Sequence, residues 1–172
     1  MPDAEPEEIM WQGKFVTAKR KGKWEYVSRS RGIKAAVILA VEDGHVLLVE
    51  QYRVPLNKNC LELPAGLIGD ETVGEDPLEA AGRELEEETG YRARTLESLG
   101  EYYSSPGMVS ESFTLVRATG LTKVSEGGGV EGEGITPHRI ALSELSDFIA
   151  SKRADRCGID VKLLLLLGAQ LI

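Results

Sequence analysis

The chain has 172 residues, 42% of them hydrophobic, which suits one ordinary domain with a real core. Its formal net charge of −8 argues against nucleic acid or an anionic membrane as main partner. The acidic N-terminus lacks the apolar run of a signal peptide, and Leu163 to Leu167 is much too short to span a bilayer.

Taken in order, residues 1 to 8 are acidic and carry two prolines, so disorder is expected there. Phe15-Val16-Thr17 and Trp24-Glu25-Tyr26-Val27 predict a hairpin about a Lys21-Gly22-Lys23 turn. That segment is locally basic, through Lys14, Lys19, Arg20, Lys21, Lys23, Arg29 and Arg31. A lone hairpin is marginal in water, so it must dock, on its own domain or across a dimer. Residues 33–41 and 46–51 predict two strands joined through Asp43-Gly44, the first apolar on both faces and therefore central. Cys60 to Leu63 gives a short strand leading into a Pro64-Ala65-Gly66 loop.

Strands are expected at 96–104 and 112–119. Residues 122–134, rich in Gly and Glu without a hydrophobic period, predict a mobile loop of the length usually reserved for function. A strand near 135–142 comes next. Ser143 is the expected N-cap of a helix over 144–152, and Asp160 that of a last helix whose leucines pack inward. Cys60 and Cys157 lie far apart in no C-x-x-C and fit reduced thiols of a cytosolic protein, with a single disulfide as the alternative. His45 and His138 are expected to be structural or exposed. Strands early and late around one helix, with helices at the end, predict an α/β (α+β) architecture with a mixed sheet between helices.

The most informative stretch is Gly69 to Tyr91. Asp76 is an N-cap, Pro77 suits the first helical position, Glu79 is set to close a capping box, and Gly90 is a left-handed C-cap. Between them, Glu84, Glu87 and Glu88 fall within an arc of about 100°. Glu86 points away, and Leu78 and Leu85 share a core-facing direction. Arg83 stands one turn before Glu87 and can pair with it. Carboxylates crowded on one helix face repel each other, and a hard divalent cation such as Mg²⁺ or Mn²⁺ relieves the repulsion. A solvated acidic face is the alternative on the carboxylates alone.

The spacing of Gly69, Glu75, Arg83-Glu84-Leu85, Glu87-Glu88 and Gly90-Tyr91 resembles the Nudix box, G-x5-E-x7-R-E-U-x-E-E-x-G-U. Tyr91 stands where the pattern usually has an aliphatic residue. The first glycine is Gly69 or, with a three-residue insertion, Gly66. The resemblance covers about residues 33–170 and implies the Nudix fold, an α/β/α sandwich, as a domain over 33–172, with residues 1–32 as an N-terminal extension. It implies Glu84 and Glu88 as principal metal ligands, Glu87 as a further ligand or catalytic carboxylate, and the Ala65 carbonyl as a backbone ligand. It offers Glu131 and Glu133 as candidate catalytic bases.

Pro106 lies sixteen residues beyond Gly90, a spacing similar to that of ADP-ribose pyrophosphatases within the superfamily. Glu50-Gln51-Tyr52-Arg53, Leu61-Glu62-Leu63-Pro64-Ala65-Gly66 and Ser104-Ser105-Pro106-Gly107 resemble them too. In those enzymes the N-terminal segment is swapped across a homodimer and an aromatic stacks on adenine. The resemblance therefore implies Trp24, with Phe15 and Glu25, at the base, Arg53 at phosphate or ribose, and Pro106 in the same loop. The implied activity is Mg²⁺-dependent hydrolysis of ADP-ribose, or of a related ADP-sugar, to AMP and a sugar phosphate in the cytoplasm. The alternatives are another nucleoside diphosphate sugar and a nucleotide sensor without turnover, while an RNA-decapping role is disfavoured by the acidic charge.

Overall fold

The computed structural model describes residues 5–30, 33–69 and 74–168. Strands β1 (Glu7–Gln12), β2 (Val16–Lys21) and β3 (Trp24–Arg29) form a three-stranded antiparallel sheet. The predicted hairpin is β2–β3, with Lys21 opposite Trp24 and Phe15 just outside β2. Disorder was expected through residue 8, but β1 begins at Glu7. Charge explains the difference: Glu7 meets Lys19 at 2.9 Å and Glu8 meets Arg20 at 2.7 Å, so the acidic strand pairs with the basic one. Arg31 and residues 1–4 lie outside the described residues.

The main sheet is built from β4 (Lys34–Glu42), β5 (His45–Arg53), β6 (Lys58–Glu62), β7 (Ala65–Ile68), β9 (Thr95–Tyr103), β10 (Ser112–Thr119), β12 (Thr136–Ala141) and β13 (Gly158–Ile159). The short strands β8 (Tyr91–Arg92) and β11 (Thr122–Lys123) pair with each other. The order is β13-β6-β5-β4-β10-β9, with β12 added on β5 and β7 on β4. β10 runs parallel to β4 and β13 parallel to β6, the other pairs being antiparallel, so the sheet is mixed as expected. β7 falls where the sequence suggested only a loop. It pairs with the start of β4, with Ala36 opposite Gly66.

β4 and β5 pair only at their turn, Val41 with Val46 and Glu42 with His45. Beyond it β4 takes β7 and β10 as neighbours, and β5 takes β6 and β12. The split leaves a wedge between the strands' far ends. Both faces of β4 are covered, which is why its run is apolar throughout. Ala36, Ile38 and Ala40 face helix α1 (Pro77–Thr89) together with Ala81, Leu85 and Val116. Val37 and Leu39 face the other layer, with Leu61, Leu63, Phe113 and Leu115, against helix α2 (Leu145–Ala154) and the C-terminal segment.

Helix α1 begins and ends on the predicted residues. The Asp76 side chain accepts from Leu78 N–H at 2.7 Å, Pro77 opens the helix, and Gly90 ends it at φ 77°. The expected capping box is not formed, since Glu79 makes no return bond to Asp76. Two other predicted ends shift. The N-cap of α2 is Glu144, not Ser143, because a tight turn (Glu144 N–H to Ala141 O, 2.9 Å) delays the helix by one residue. Asp160 caps as expected, accepting from Lys162 N–H at 2.6 Å, but it opens a 3-10 turn, Val161–Leu164, ahead of the short α3 (Leu165–Gly168). Of the leucines in this segment, Leu163 is buried and Leu164 is exposed. Both cysteines are free thiols, which settles the alternative of a disulfide.

The loop expected to be mobile at 122–134 is tied down in its first half. Gly128 N–H donates to Glu88 O and Gly129 N–H to Glu87 O, both at 2.9 Å, and Val124 N–H donates to Gly90 O at 2.8 Å. The last carbonyls of a helix have no intrahelical partners, and the loop supplies them here. A Cβ at Gly127 would sit 2.5 Å from the Thr89 carbonyl carbon, so only glycine lets the loop approach this closely.

Candidate active site

A cavity of about 420 Å³ occupies the wedge between β4 and β5. Helix α1 contributes Glu84 and Glu88, β7 contributes Ala65 and Gly66, and the strands around them contribute Gln51, Arg53 and Glu62. Glu133 of the Gly-rich loop completes the acidic wall. Glu88 is only 6% exposed, and its Oε2 accepts from Ala65 N–H at 3.0 Å. Burial pushes its carboxyl pKa up to about 8; the Ala65 hydrogen bond opposes the rise, while the charges of Glu84 and Glu133 add to it.

Of the two glycines that fit the start of the box, Gly66 meets the glutamates. A Cβ there would lie 1.9 Å from the Glu84 carboxyl carbon. Gly69 instead donates its N–H to Glu75 at 3.0 Å. Arg83 sits among Glu84 (2.9 Å), Glu87 (3.3 Å) and Glu75 (3.5 Å). Burial alone would lower its pKa, but Glu84, Glu75 and Glu87 outweigh that and raise it. Arg83 thus orients glutamates, as expected. Glu87 turns toward Arg83 and does not line the cavity, unlike its two companions. Glu86 points away and pairs with Arg92.

The Gly-rich loop's two acids separate clearly. Both are exposed, but Glu133 lines the cavity, held by Val130 N–H at 2.9 Å, and Glu131 does not. Arg53 grips Glu62 through two hydrogen bonds of 2.7 and 2.9 Å, and that contact raises its pKa. Such a fork is geometrically fixed, and two bonds leave other guanidinium donors for a ligand.

Trp24 and Pro106, 82 positions apart by their numbers, share a second cleft of about 270 Å³ with Tyr26, Gly107 and Val109. β3 is fastened there by Val27 N–H to Met108 O (3.0 Å) and Ser110 N–H to Val27 O (2.9 Å). The Trp24 ring is half exposed. Phe15 and Glu25 are exposed and line neither cavity. His45 bonds the Asp43 carbonyl, and His138 sits between Glu50 and Phe148, so both histidines are structural.

Arg29, Gln51, Glu62, Glu111 and Lys162 are cavity residues that the sequence did not single out. Glu62 had a signal, since it lies inside the stretch Leu61 to Gly66. Lys162 had none. Among the described residues no three acidic, histidine or cysteine side chains already converge on one point. Glu84 is drawn toward Arg83 and Glu133 toward Val130. The donor set nevertheless fits a hard divalent cation: it is all oxygen, and Glu88 is a buried carboxylate whose ionised form awaits a counter-charge.

The NUDIX domain family matches residues 30–148, well over half of the chain, and the chain belongs to that family. Its fold agrees with a crystal structure of an ADP compounds hydrolase, at a TM-score of 0.66 and 26% identity, covering 84% of this chain and 80% of the other. The chain is 40% identical over 119 residues to the methanol dehydrogenase activator of Bacillus methanolicus, 69% of this chain and 63% of that one. It is 38% identical over 91 residues to the ADP-ribose pyrophosphatase of Bacillus subtilis (53% and 48%). It is 45% identical over 131 residues to the ADP-sugar pyrophosphatase of Mus musculus (66% and 59%). The chain thus spans less than two thirds of the length of these three relatives.

Proposed function

We propose that this protein hydrolyses the diphosphate bond of ADP-ribose to AMP and ribose 5-phosphate, with Mg²⁺ or Mn²⁺ held by Glu84, Glu88 and the Ala65 carbonyl. The observation that carries the reading is a cavity lined by the buried Glu88 together with Glu84, Glu133 and Arg53. The names of the two pyrophosphatase relatives support the substrate class. A bound divalent cation supplies charge neutralisation for the diphosphate and an acidified water. The chain's own residues do the rest. Arg53, fixed by Glu62, donates to a phosphate oxygen. Arg83 holds Glu84 in register, and Glu87 serves with it as an outer carboxylate. Glu133 takes the proton from the attacking water as a P–O bond of the bridge breaks, and the leaving phosphate departs with the bridging oxygen.

Trp24, across from Pro106, stacks on the adenine, while Glu25 and Phe15 lie outside that cleft. Residues 1–32 act as an extension shared across a homodimer, and 33–172 as the hydrolase domain. Exposed Ile9 and Trp11 on the N-terminal sheet, with exposed Phe15 just before β2, support a second copy as its cover. Free thiols agree with a cytoplasmic protein. Among the described residues no helix is long and apolar enough to cross a membrane. A second reading, hydrolysis of another ADP-sugar, draws on the ADP-sugar pyrophosphatase relative and on a base cleft that selects a flat ring without selecting a sugar.

A product panel tests the choice. ADP-ribose, ADP-glucose, GDP-mannose, UDP-glucose, NADH and a capped RNA are incubated with enzyme and Mg²⁺. Fastest cleavage of ADP-ribose is expected. Fastest cleavage of a non-adenine substrate would overturn the role of Trp24, and binding without cleavage would make the protein a sensor.

A further inference from the structure

We infer that Lys162, on the C-terminal 3-10 turn, is a substrate-binding residue that donates to an oxygen of the diphosphate. The inference rests on the proposed function for the identity of the substrate, but not for the presence of an anion. Lys162 lies beyond the segment 30–148 that matches the family, yet it lines the same cavity as Glu84 and Glu88.

Its position is fixed from several sides. Asp160 holds it at both ends, accepting the Lys162 backbone N–H on Oδ1 and the ammonium on Oδ2, each at 2.6 Å. Both side chains are largely buried, at 19% and 17% exposure. Asp160 in turn donates its N–H to Leu61 O at 3.0 Å, which locks the turn to β6 beside Glu62. An ammonium carries three donors, so the Asp160 bond leaves two.

The charge pattern shows what those donors face. Among the described residues lining the cavity, the cations are Arg29, Arg53 and Lys162. Arg29 is matched by Glu111 and Arg53 by Glu62, and both of those acids also line the cavity. Lys162 differs, because its partner Asp160 is not part of the lining. Lys162 therefore lines the cavity as a fixed cation whose counter-charge does not share the lining. A phosphate oxyanion is the ligand chemistry that such a donor accepts.

The test uses the full chain with Mg²⁺ and the variants Lys162→Met and Lys162→Arg. For Lys162→Met, KM for ADP-ribose should rise about tenfold or more with kcat changed by less than about threefold, the scale of one charge-assisted hydrogen bond. The inhibition constant of inorganic pyrophosphate should rise by a similar factor, and Lys162→Arg should recover most of both. A purely structural lysine would lower the melting temperature and leave the pyrophosphate constant unchanged, which would overturn the inference. If Lys162→Met folds poorly, Lys162→Gln against Lys162→Arg gives the same comparison. If the wild type fails on ADP-ribose, calorimetric binding of pyrophosphate still decides: a loss in Lys162→Met upholds the anion site while the substrate reading falls, and equal binding sinks the inference.

Discussion

The backbone N–H of Ala65 donates to Oε2 of Glu88 at 3.0 Å, joining β7 to helix α1 across 23 residues of sequence. This bond brings the strand edge against the helix face that carries Glu84. It also explains the demand for glycine next door, where the β4 pairing fixes the backbone and any Cβ would strike the Glu84 carboxyl.

Gly66→Ala should therefore displace Glu84 rather than unfold the protein, because a flexible side chain can move and a paired strand cannot. A fall in kcat/KM of at least about tenfold is expected, with a stability change within about 1 kcal/mol. Steady-state kinetics and thermal melts measure both. Undiminished activity would mean that Glu84 is not needed where it stands.

Glu88 makes the metal-free protein pH-sensitive. Its folded pKa is about 8 against 4.5 for the ordinary carboxyl, so the folded state holds this proton more tightly than the unfolded state. That contribution to stability is complete below 4.5 and is lost as pH rises through about 8. In EDTA, melting temperatures of the wild type should fall across this window more than those of Glu88→Gln. Adding Mg²⁺ at the alkaline end should restore the wild type and not the variant. Parallel curves for the two proteins would refute the assignment.

Glu133 and Glu131 differ in what they face. Glu133→Gln should lower kcat by about a hundredfold or more, as expected for a lost general base, whereas Glu131→Gln should stay within about twofold. The reverse order, measured under saturating substrate, would move the base to Glu131.

Trp24→Ala should raise KM for ADP-ribose by about tenfold while changing kcat less, in keeping with the loss of one base-stacking contact. Trp24→Phe should recover part of it. The same loss on a ribose diphosphate without a base would show that Trp24 only supports the sheet.

Much of this site is legible in the sequence because its signals are local. Asp76, Pro77 and Gly90 punctuate α1, and the spacing of its glutamates follows from helical geometry. The apolar run of β4 announces a strand covered on both faces. The features that escape depend on contacts distant in sequence. β1 forms because Glu7 and Glu8 find Lys19 and Arg20. The glycines of 127–129 look like slack in the sequence, yet the bare backbone of Gly127 is what lets the loop approach the end of α1, where Gly128 and Gly129 bond its carbonyls. Glu131 and Glu133 cannot be separated without knowing where the loop is pinned. Lys162 carries no motif and reaches the cavity only through β13 beside β6.

The most direct test follows ADP-ribose with Mg²⁺ and resolves the products for wild type, Glu84→Gln and Glu88→Gln. The wild type should release AMP and ribose 5-phosphate in equal amounts. Each variant should remain folded by circular dichroism and lose at least about a hundredfold in rate. Variants as fast as the wild type, or a wild type that leaves ADP-ribose intact, would contradict the account.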